Sequence, residues 1–172
     1  MKLATTIAGL TLAVAAAYST PAVAQTIHAN ASQPTARCQG ALPAFETAIR
    51  KRPLAVQNEG TIASFVTCSF EFDAYEAVDN SALLVDAYFV NNTEADVTVA
   101  CTAVTGYAGG DNEYVSGSVT IPAGGTMDEA NLFWYADDFA GGGMATGLVS
   151  ISCRLPQGAG VADTYVYWAT AE

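Results

Sequence analysis

Histidine and basic residues are nearly missing from this sequence. One histidine and six lysines and arginines stand against 17 aspartates and glutamates, giving a formal net charge of −11. Nucleic acids and anionic membrane surfaces recruit basic patches, so this composition argues against both as partners. Because His28 precedes every predicted strand, a Ser-His-Asp hydrolase is disfavoured as well.

Motifs for cofactor chemistry are also missing. The sequence contains no phosphate-binding loop, no dinucleotide fingerprint and no Gly-x-Ser-x-Gly elbow. Its four cysteines are expected to pair, which leaves no free thiolate for a cysteine nucleophile. We therefore predict a protein that is not an enzyme and that requires no cofactor, with calcium as the one ion that its acidic loops could hold.

Long apolar runs are confined to the start of the chain. Lys2 supplies a positive n-region, an apolar run follows, and small residues at 22 and 24 form a signal-peptidase site before Gln25. The run is shorter than the ~20 residues that span a bilayer. The sequence thus predicts a cleaved signal peptide at 1–24, a secreted or periplasmic mature protein, and no transmembrane anchor after cleavage.

The mature chain divides into a short polar segment and one domain. Residues 25–37 are polar and without periodicity, which predicts a flexible N-terminal segment. From residue 53 onward apolar residues alternate with polar ones, and turn signals rich in glycine, asparagine and proline separate the runs. The runs lie at 62–70, 82–90, 96–104, 113–121, 148–155 and 161–168.

These short strands predict an all-β fold for residues 38–172. The expected architecture is a single antiparallel two-sheet sandwich, immunoglobulin-like or jelly-roll-like, with a closed barrel as the main rival. An even number of cysteines in an exported chain predicts two disulfides. Cys68, Cys101 and Cys153 fall on apolar strand faces, so the bridges are expected to staple the sandwich internally. Pairing Cys38 with Cys68 and Cys101 with Cys153 is favoured, although all three connectivities stay open.

Three short segments of this sequence resemble segments of other exported proteins. They read RPLAVQNEG at 52–60, FVTCSF at 65–70 and ISCRLP at 151–156. Together with the signal peptide, their order resembles a group of uncharacterised exported four-cysteine proteins of Gram-negative bacteria. The resemblance implies a secreted β-sandwich and carries over no activity.

Tyrosines provide the most testable functional signal. Strand parity predicts that Tyr88, Tyr114, Tyr165 and Tyr167 point outward. Aromatic rings with a polar tip stack on sugar rings, so a tyrosine row on one sheet face predicts a saccharide site. Ordinary cross-strand packing or a subunit interface is the alternative interpretation. The run at 131–135 is either a buried strand or an exposed contact loop.

Acidic loops are candidates for calcium, which prefers several oxygen ligands. The candidate ligands are Asp111, Asn112 and Glu113 in one loop and Asp137 with Asp138 in another. None of these groups has EF-hand spacing, and solvated loops on an acidic protein are the simpler interpretation.

Two functions of different classes follow. The first is a non-enzymatic secreted binding module for an extracellular saccharide or protein surface. The alternative is a structural, self-assembling envelope subunit, in which the tyrosine face would be the self-association patch. A small hydrolase that uses paired carboxylates such as Asp137 and Asp138 is a third hypothesis.

Overall fold

The computed structural model describes residues 24–78, 82–106, 109–110, 112–140 and 148–172. The predicted signal peptide lies outside this part of the chain except for its last residue. Within the described ranges, no helix combines the length and the apolar character needed to cross a membrane.

Two antiparallel sheets make up the fold. The strands of sheet A are β1 (Gln25–Ser32), β3 (Ile49–Arg52), β4 (Ala55–Asn58), β6 (Leu84–Asn91), β9 (Asn131–Tyr135) and β11 (Ala159–Ala171). Those of sheet B are β2 (Cys38–Gly40), β5 (Ser64–Phe70), β7 (Val97–Gly106), β8 (Asn112–Ile121) and β10 (Val149–Leu155). Sheet A has the strand order β3-β4-β11-β6-β9, with β1 also paired to β11, and sheet B has the order β2-β5-β10-β7-β8.

Short helical segments connect some of these strands. They are α1 (Pro34–Arg37), α2 (Pro43–Glu46) and a 3₁₀ turn at Ala136–Asp138 after β9. Both α1 and α2 begin with proline, whose fixed φ suits the first helical turn.

The core lies between the inner sides of the two sheets. Sheet A contributes Val85, Phe89 and Val161, and sheet B contributes Val66 and Ile151, all with no exposed surface. Alternate residues of each strand meet here because successive strand side chains point to opposite sides. The predicted all-β, antiparallel two-sheet sandwich is confirmed.

The predicted period-two runs correspond to β5, β6, β7, β8, β10 and β11. Two residues at their edges differ from the prediction. Ile62 opens the predicted run 62–70 but is 70% exposed, because it lies in a bend before β5 begins. Leu83 belongs to the predicted run 82–90 but lies just before β6 and is exposed.

The segment 25–37 differs from the flexible lead-in that its sequence suggested. Residues 25–32 form β1, which pairs with residues 164–171 of β11 along its whole length, and α1 follows. No residue of β1 is buried. A strand held by main-chain hydrogen bonds on an open edge needs no apolar face, so period-two analysis missed it.

Both disulfides join neighbouring strands of sheet B. Cys38 of β2 pairs with Cys68 of β5, and Cys101 of β7 pairs with Cys153 of β10. Each pair is directly opposed in the strand register, with Cα atoms 4.0 Å apart. The favoured connectivity is therefore confirmed. The bridges staple one sheet on its inner side and do not tie the two sheets together.

The turn between β10 and β11 sets where β11 starts. Gly158 has φ +77° in this turn, its N–H donates to Asn58 O at 2.8 Å, and its carbonyl accepts from Asn92 N at 3.0 Å. A Cβ on Gly158 would lie 2.3 Å from Thr93 Cγ2. Only glycine fits both the positive φ and this close approach.

Candidate functional site

Three of the four tyrosines predicted as ligand contacts lie together on the outer side of sheet A. Tyr165 and Tyr167 project from β11, and Tyr88 projects from β6. The register sets Tyr165 opposite Asp86 and Asp163 opposite Tyr88. Side chains at opposed positions share a sheet face, so the two strands place tyrosines and carboxylates side by side.

The tyrosine rings are in contact with one another. Tyr88 and Tyr165 meet edge to face with ring centroids 5.7 Å apart, and Tyr165 and Tyr167 stack with centroids 6.2 Å apart. Both arrangements are favourable for aromatic quadrupoles. Each of the three rings is half-buried, so the packing fixes ring orientation and leaves part of each ring in solvent.

Strand β9 extends this surface. Asn131, Phe133 and Tyr135 lie opposite Tyr88, Asp86 and Leu84 of β6, respectively. Phe133 and Tyr135 are each 51% exposed and pack edge to face at 5.4 Å. We call this surface the aromatic face. It comprises Leu84, Asp86, Tyr88, Asn131, Phe133, Tyr135, Asp163, Tyr165 and Tyr167.

The sequence did not distinguish a buried strand from an exposed contact loop at 131–135. In the structure this run is an edge strand with one buried and one exposed side, because Trp134 points into the core at 2% exposure while Phe133 and Tyr135 point outward. Inward and outward positions alternate along this run as in any strand. Hydrophobicity does not show the alternation, because aromatic residues occupy the inward position and the outward positions alike.

Asp86 is the most unusual group of the aromatic face. It is only 6% exposed, since it lies between aromatic residues of both neighbouring strands, and its Oδ1 has no hydrogen-bond partner among the described residues. Burial raises the pKa of Asp86, and the nearby Asp163 charge raises it further. Hydrogen bonding from Tyr88 and Asn131 lowers the pKa but does not cancel the effect of burial.

Each carboxylate of the face is coupled to a phenol. The hydrogen bond to Asp86, together with burial, raises the pKa of Tyr88 to about 12. The hydrogen bond to Asp163 likewise raises the pKa of Tyr165. Asp163 Oδ1 also accepts the backbone N–H of Thr164 at 2.8 Å.

Tyr114 lies apart from the other predicted tyrosines. It is 63% exposed on β8 of sheet B, opposite Val104 of β7. It borders a groove of about 390 Å³ at one end of sheet B, with Ser69, Ser150 and Leu148. The expectation of a single row with all four tyrosines is therefore wrong, because sheet membership is not encoded in the parity of one strand.

The candidate calcium ligands are not assembled into a site in the described ranges. Asp111 lies outside them, and Asn112 begins β8, where its amide donates to Gly110 O at 3.4 Å. Asp138 Oδ2 accepts the backbone N–H of Tyr135 at 2.8 Å and so caps the 3₁₀ turn. Within the described residues no group of three or more His, Cys, Asp or Glu side chains could hold a metal ion.

The remaining candidates, Glu113 and Asp137, belong to different sheets. Glu113 lies on β8 of sheet B, and Asp137 lies in the 3₁₀ turn that follows β9 of sheet A. Calcium binding by these loops stays a prediction.

No family model matches this sequence, and no curated protein matches it. Among solved structures, the chain is similar to TmCBM61 in complex with β-1,4-galactotriose, with a TM-score of 0.34, 12% identity, and coverage of 84% of this chain and 88% of that one. It is also similar to a structure described as CBM4, with a TM-score of 0.33, 11% identity, and coverage of 84% and 86%.

Proposed function

We propose that this protein is a non-enzymatic saccharide-binding module and that the aromatic face is its binding surface. One observation carries the proposal. Exposed and half-exposed aromatic rings on three adjacent strands are interleaved with the oxygen-bearing side chains of Asp86, Asp163 and Asn131. A sugar ring needs both components, since its C–H side stacks on aromatic rings while its hydroxyls require hydrogen-bond partners.

The rigidity of the face supports this function. Its residues lie on β6, β9 and β11, all of which are hydrogen-bonded strands, and ring packing holds the tyrosines. A preformed surface loses little conformational freedom on binding, which favours affinity. Two disulfides fit an oxidising compartment, and we propose a secreted or periplasmic location.

Charge on the face disfavours self-assembly through it. A symmetric dimer formed by two aromatic faces would bring the Asp86 and Asp163 carboxylates of both copies together. Like charges placed across an interface oppose association. The face therefore fits a saccharide better than a second copy of this acidic chain.

The test is binding of the oxidised mature protein to a broad glycan array, followed by titration calorimetry with the best oligosaccharide. Replacing Tyr165 and Tyr167 together by alanine should weaken binding by more than about tenfold. Tyr114→Ala is the matched control, because it removes an exposed tyrosine from the other sheet, and it should leave affinity unchanged. Equal losses in both variants, or no glycan bound at all, would contradict the proposal.

Calcium can be examined in the same experiment. Repeating the titration with excess chelator separates a module that needs the ion from one that does not. The proposed saccharide contacts are aromatic rings and hydrogen-bonding side chains and do not include a metal ion, so we expect equal affinity in both buffers.

A further inference from the structure

Carboxylates and phenols are neighbours on the aromatic face, where the register sets Tyr165 opposite Asp86 and Tyr88 opposite Asp163. Hydrogen bonding with Asp86 raises the pKa of the Tyr88 phenol, and hydrogen bonding with Asp163 raises the pKa of the Tyr165 phenol. A phenol carries a single O–H hydrogen. Once that hydrogen is engaged, the oxygen offers only lone pairs to a ligand, and a carboxylate offers lone pairs as well. Around Tyr88, Tyr165 and the two carboxylates, the face therefore offers a ligand mainly acceptors.

Among the described residues, no ion pair balances the negative charge of the face. The ion pairs of the described residues are Arg37–Glu71 and Arg52–Glu59, and neither includes Asp86 or Asp163. Both carboxylates belong to an acidic chain with a net charge of −11. The electrostatic potential above the tyrosines should accordingly be negative.

The burial of Asp86 makes its unbalanced negative charge unusual. Asp86 is 94% buried, and its Oδ1 lacks a partner among the described residues. Such a group normally pairs with a cation or with several donors. Since Oδ1 is enclosed, Asp86 acts on a ligand through its field, whereas the half-exposed Asp163 can contact a ligand directly.

The aromatic rings also favour a positively charged ligand group. The negative π-face of tyrosine attracts cations within about 6 Å of the ring centroid. Tyr165 lies between Tyr88 and Tyr167 and opposite Asp86, so one ligand group above Tyr165 would meet rings and carboxylates together.

We propose that the aromatic face selects saccharides that carry protonated amino groups, and that it rejects saccharides bearing carboxylate or sulfate groups. This inference rests on the proposed function and narrows its substrate class. An ammonium group on a sugar ring supplies three donors and one positive charge to a surface that offers acceptors and negative charge. The neighbouring sugar rings of the same chain stack on the exposed Phe133 and Tyr135.

The experiment compares three oligosaccharides of equal length by calorimetry at 0.15 M salt: an oligomer of glucosamine, its N-acetylated counterpart and an oligogalacturonate. We expect the glucosamine oligomer to bind about tenfold more tightly than the N-acetylated one, with no detectable binding of the oligogalacturonate. Asp163→Asn should remove most of that preference, because it should weaken binding of the glucosamine oligomer much more than binding of the N-acetylated one.

Glu94→Gln is the matched control, because it removes one exposed acid from the loop between β6 and β7 and preserves the net charge of the Asp163→Asn variant. It should keep the full preference. If the preference for the glucosamine oligomer survives Asp163→Asn, or if Glu94→Gln lowers it by the same factor, then the preference comes from the overall charge of the protein and the inference is overturned. Equal affinity for the amino and N-acetylated oligomers would overturn the inference alone, whereas no binding of any saccharide would overturn the proposed function as well.

Discussion

Replacing Asp86 by asparagine should stabilise the fold at neutral pH, although it removes a hydrogen-bonded side chain. Asp86 is 6% exposed, its Oδ1 has no partner among the described residues, and burial raises its pKa. A raised carboxyl pKa means that the folded protein holds the proton more tightly than the unfolded chain does. The ionised form therefore costs stability at any pH well above the pKa.

The size of the effect follows from the desolvation of one unsatisfied buried group. That penalty is about 1–3 kcal/mol, and more for charged groups. Asparagine keeps a carbonyl oxygen for Asn131 and Tyr88 but carries no charge. Since the substitution also loses charge-assisted hydrogen bonds, we expect a net gain of about 1–2 kcal/mol, which is a rise of ~2–8 °C in Tm for a chain of this size.

Urea unfolding of the oxidised protein at several pH values measures this effect. The gain should be present at pH 7, should shrink as the pH falls toward the raised folded-state pKa of Asp86, and should be gone below the unfolded-state value of about 3.9, where the wild-type carboxyl is neutral in both states. Asp163→Asn is the control, since Asp163 is only half-buried and should give little change. A loss of stability for Asp86→Asn at pH 7 would refute the assignment of Asp86 as a destabilising buried charge.

Three further predictions concern the Tyr88 phenol, one disulfide and the turn before β11. The Tyr88 phenol should titrate near pH 12 in an absorbance or NMR titration, and Asp86→Asn should move its pKa toward the ordinary value of about 10. Because the folded-state pKa is the higher one, the stability that this phenol contributes is complete below about pH 10 and is lost as the pH rises through about 12. An unchanged Tyr88 titration in Asp86→Asn would contradict the pairing of the two side chains. Replacing Cys101 and Cys153 together by alanine should lower the free energy of unfolding by about 4 kcal/mol, as loop closure over 52 residues implies, and a loss below about 1 kcal/mol in urea melts would contradict this. Gly158→Ala should destabilise by at least about 1–2 kcal/mol, because its φ is +77° and an added methyl group would collide with a threonine methyl group 2.3 Å away; an unchanged Tm would show that the turn differs from the one described.

Strand parity predicted much of the sandwich from sequence alone. Cys68, Cys101 and Cys153 lie on the inner sides of their strands, as their alternation indicated, and the favoured disulfide pairing is confirmed. Parity succeeds in these strands because one side of each is buried and a one-residue shift would expose it.

Other features depend on which strands become neighbours, and local patterns do not carry that information. Tyr114 shares outward parity with Tyr165 but lies on the other sheet. Asp86 lies on the outer side of β6, and its burial depends on strand neighbours, since the register sets it between Phe133 of β9 and Tyr165 of β11. Strand β1 has no buried residue and hence no alternation to detect.

The most direct test of the central claim is an NMR titration of the ¹⁵N-labelled oxidised protein with the tightest-binding oligosaccharide from the array. Binding at the aromatic face predicts that the largest amide shift changes map to β6, β9 and β11, around Asp86, Phe133 and Tyr165. Shift changes concentrated instead on β8 and β10, around the groove beside Tyr114, would contradict the account and move the saccharide site to sheet B.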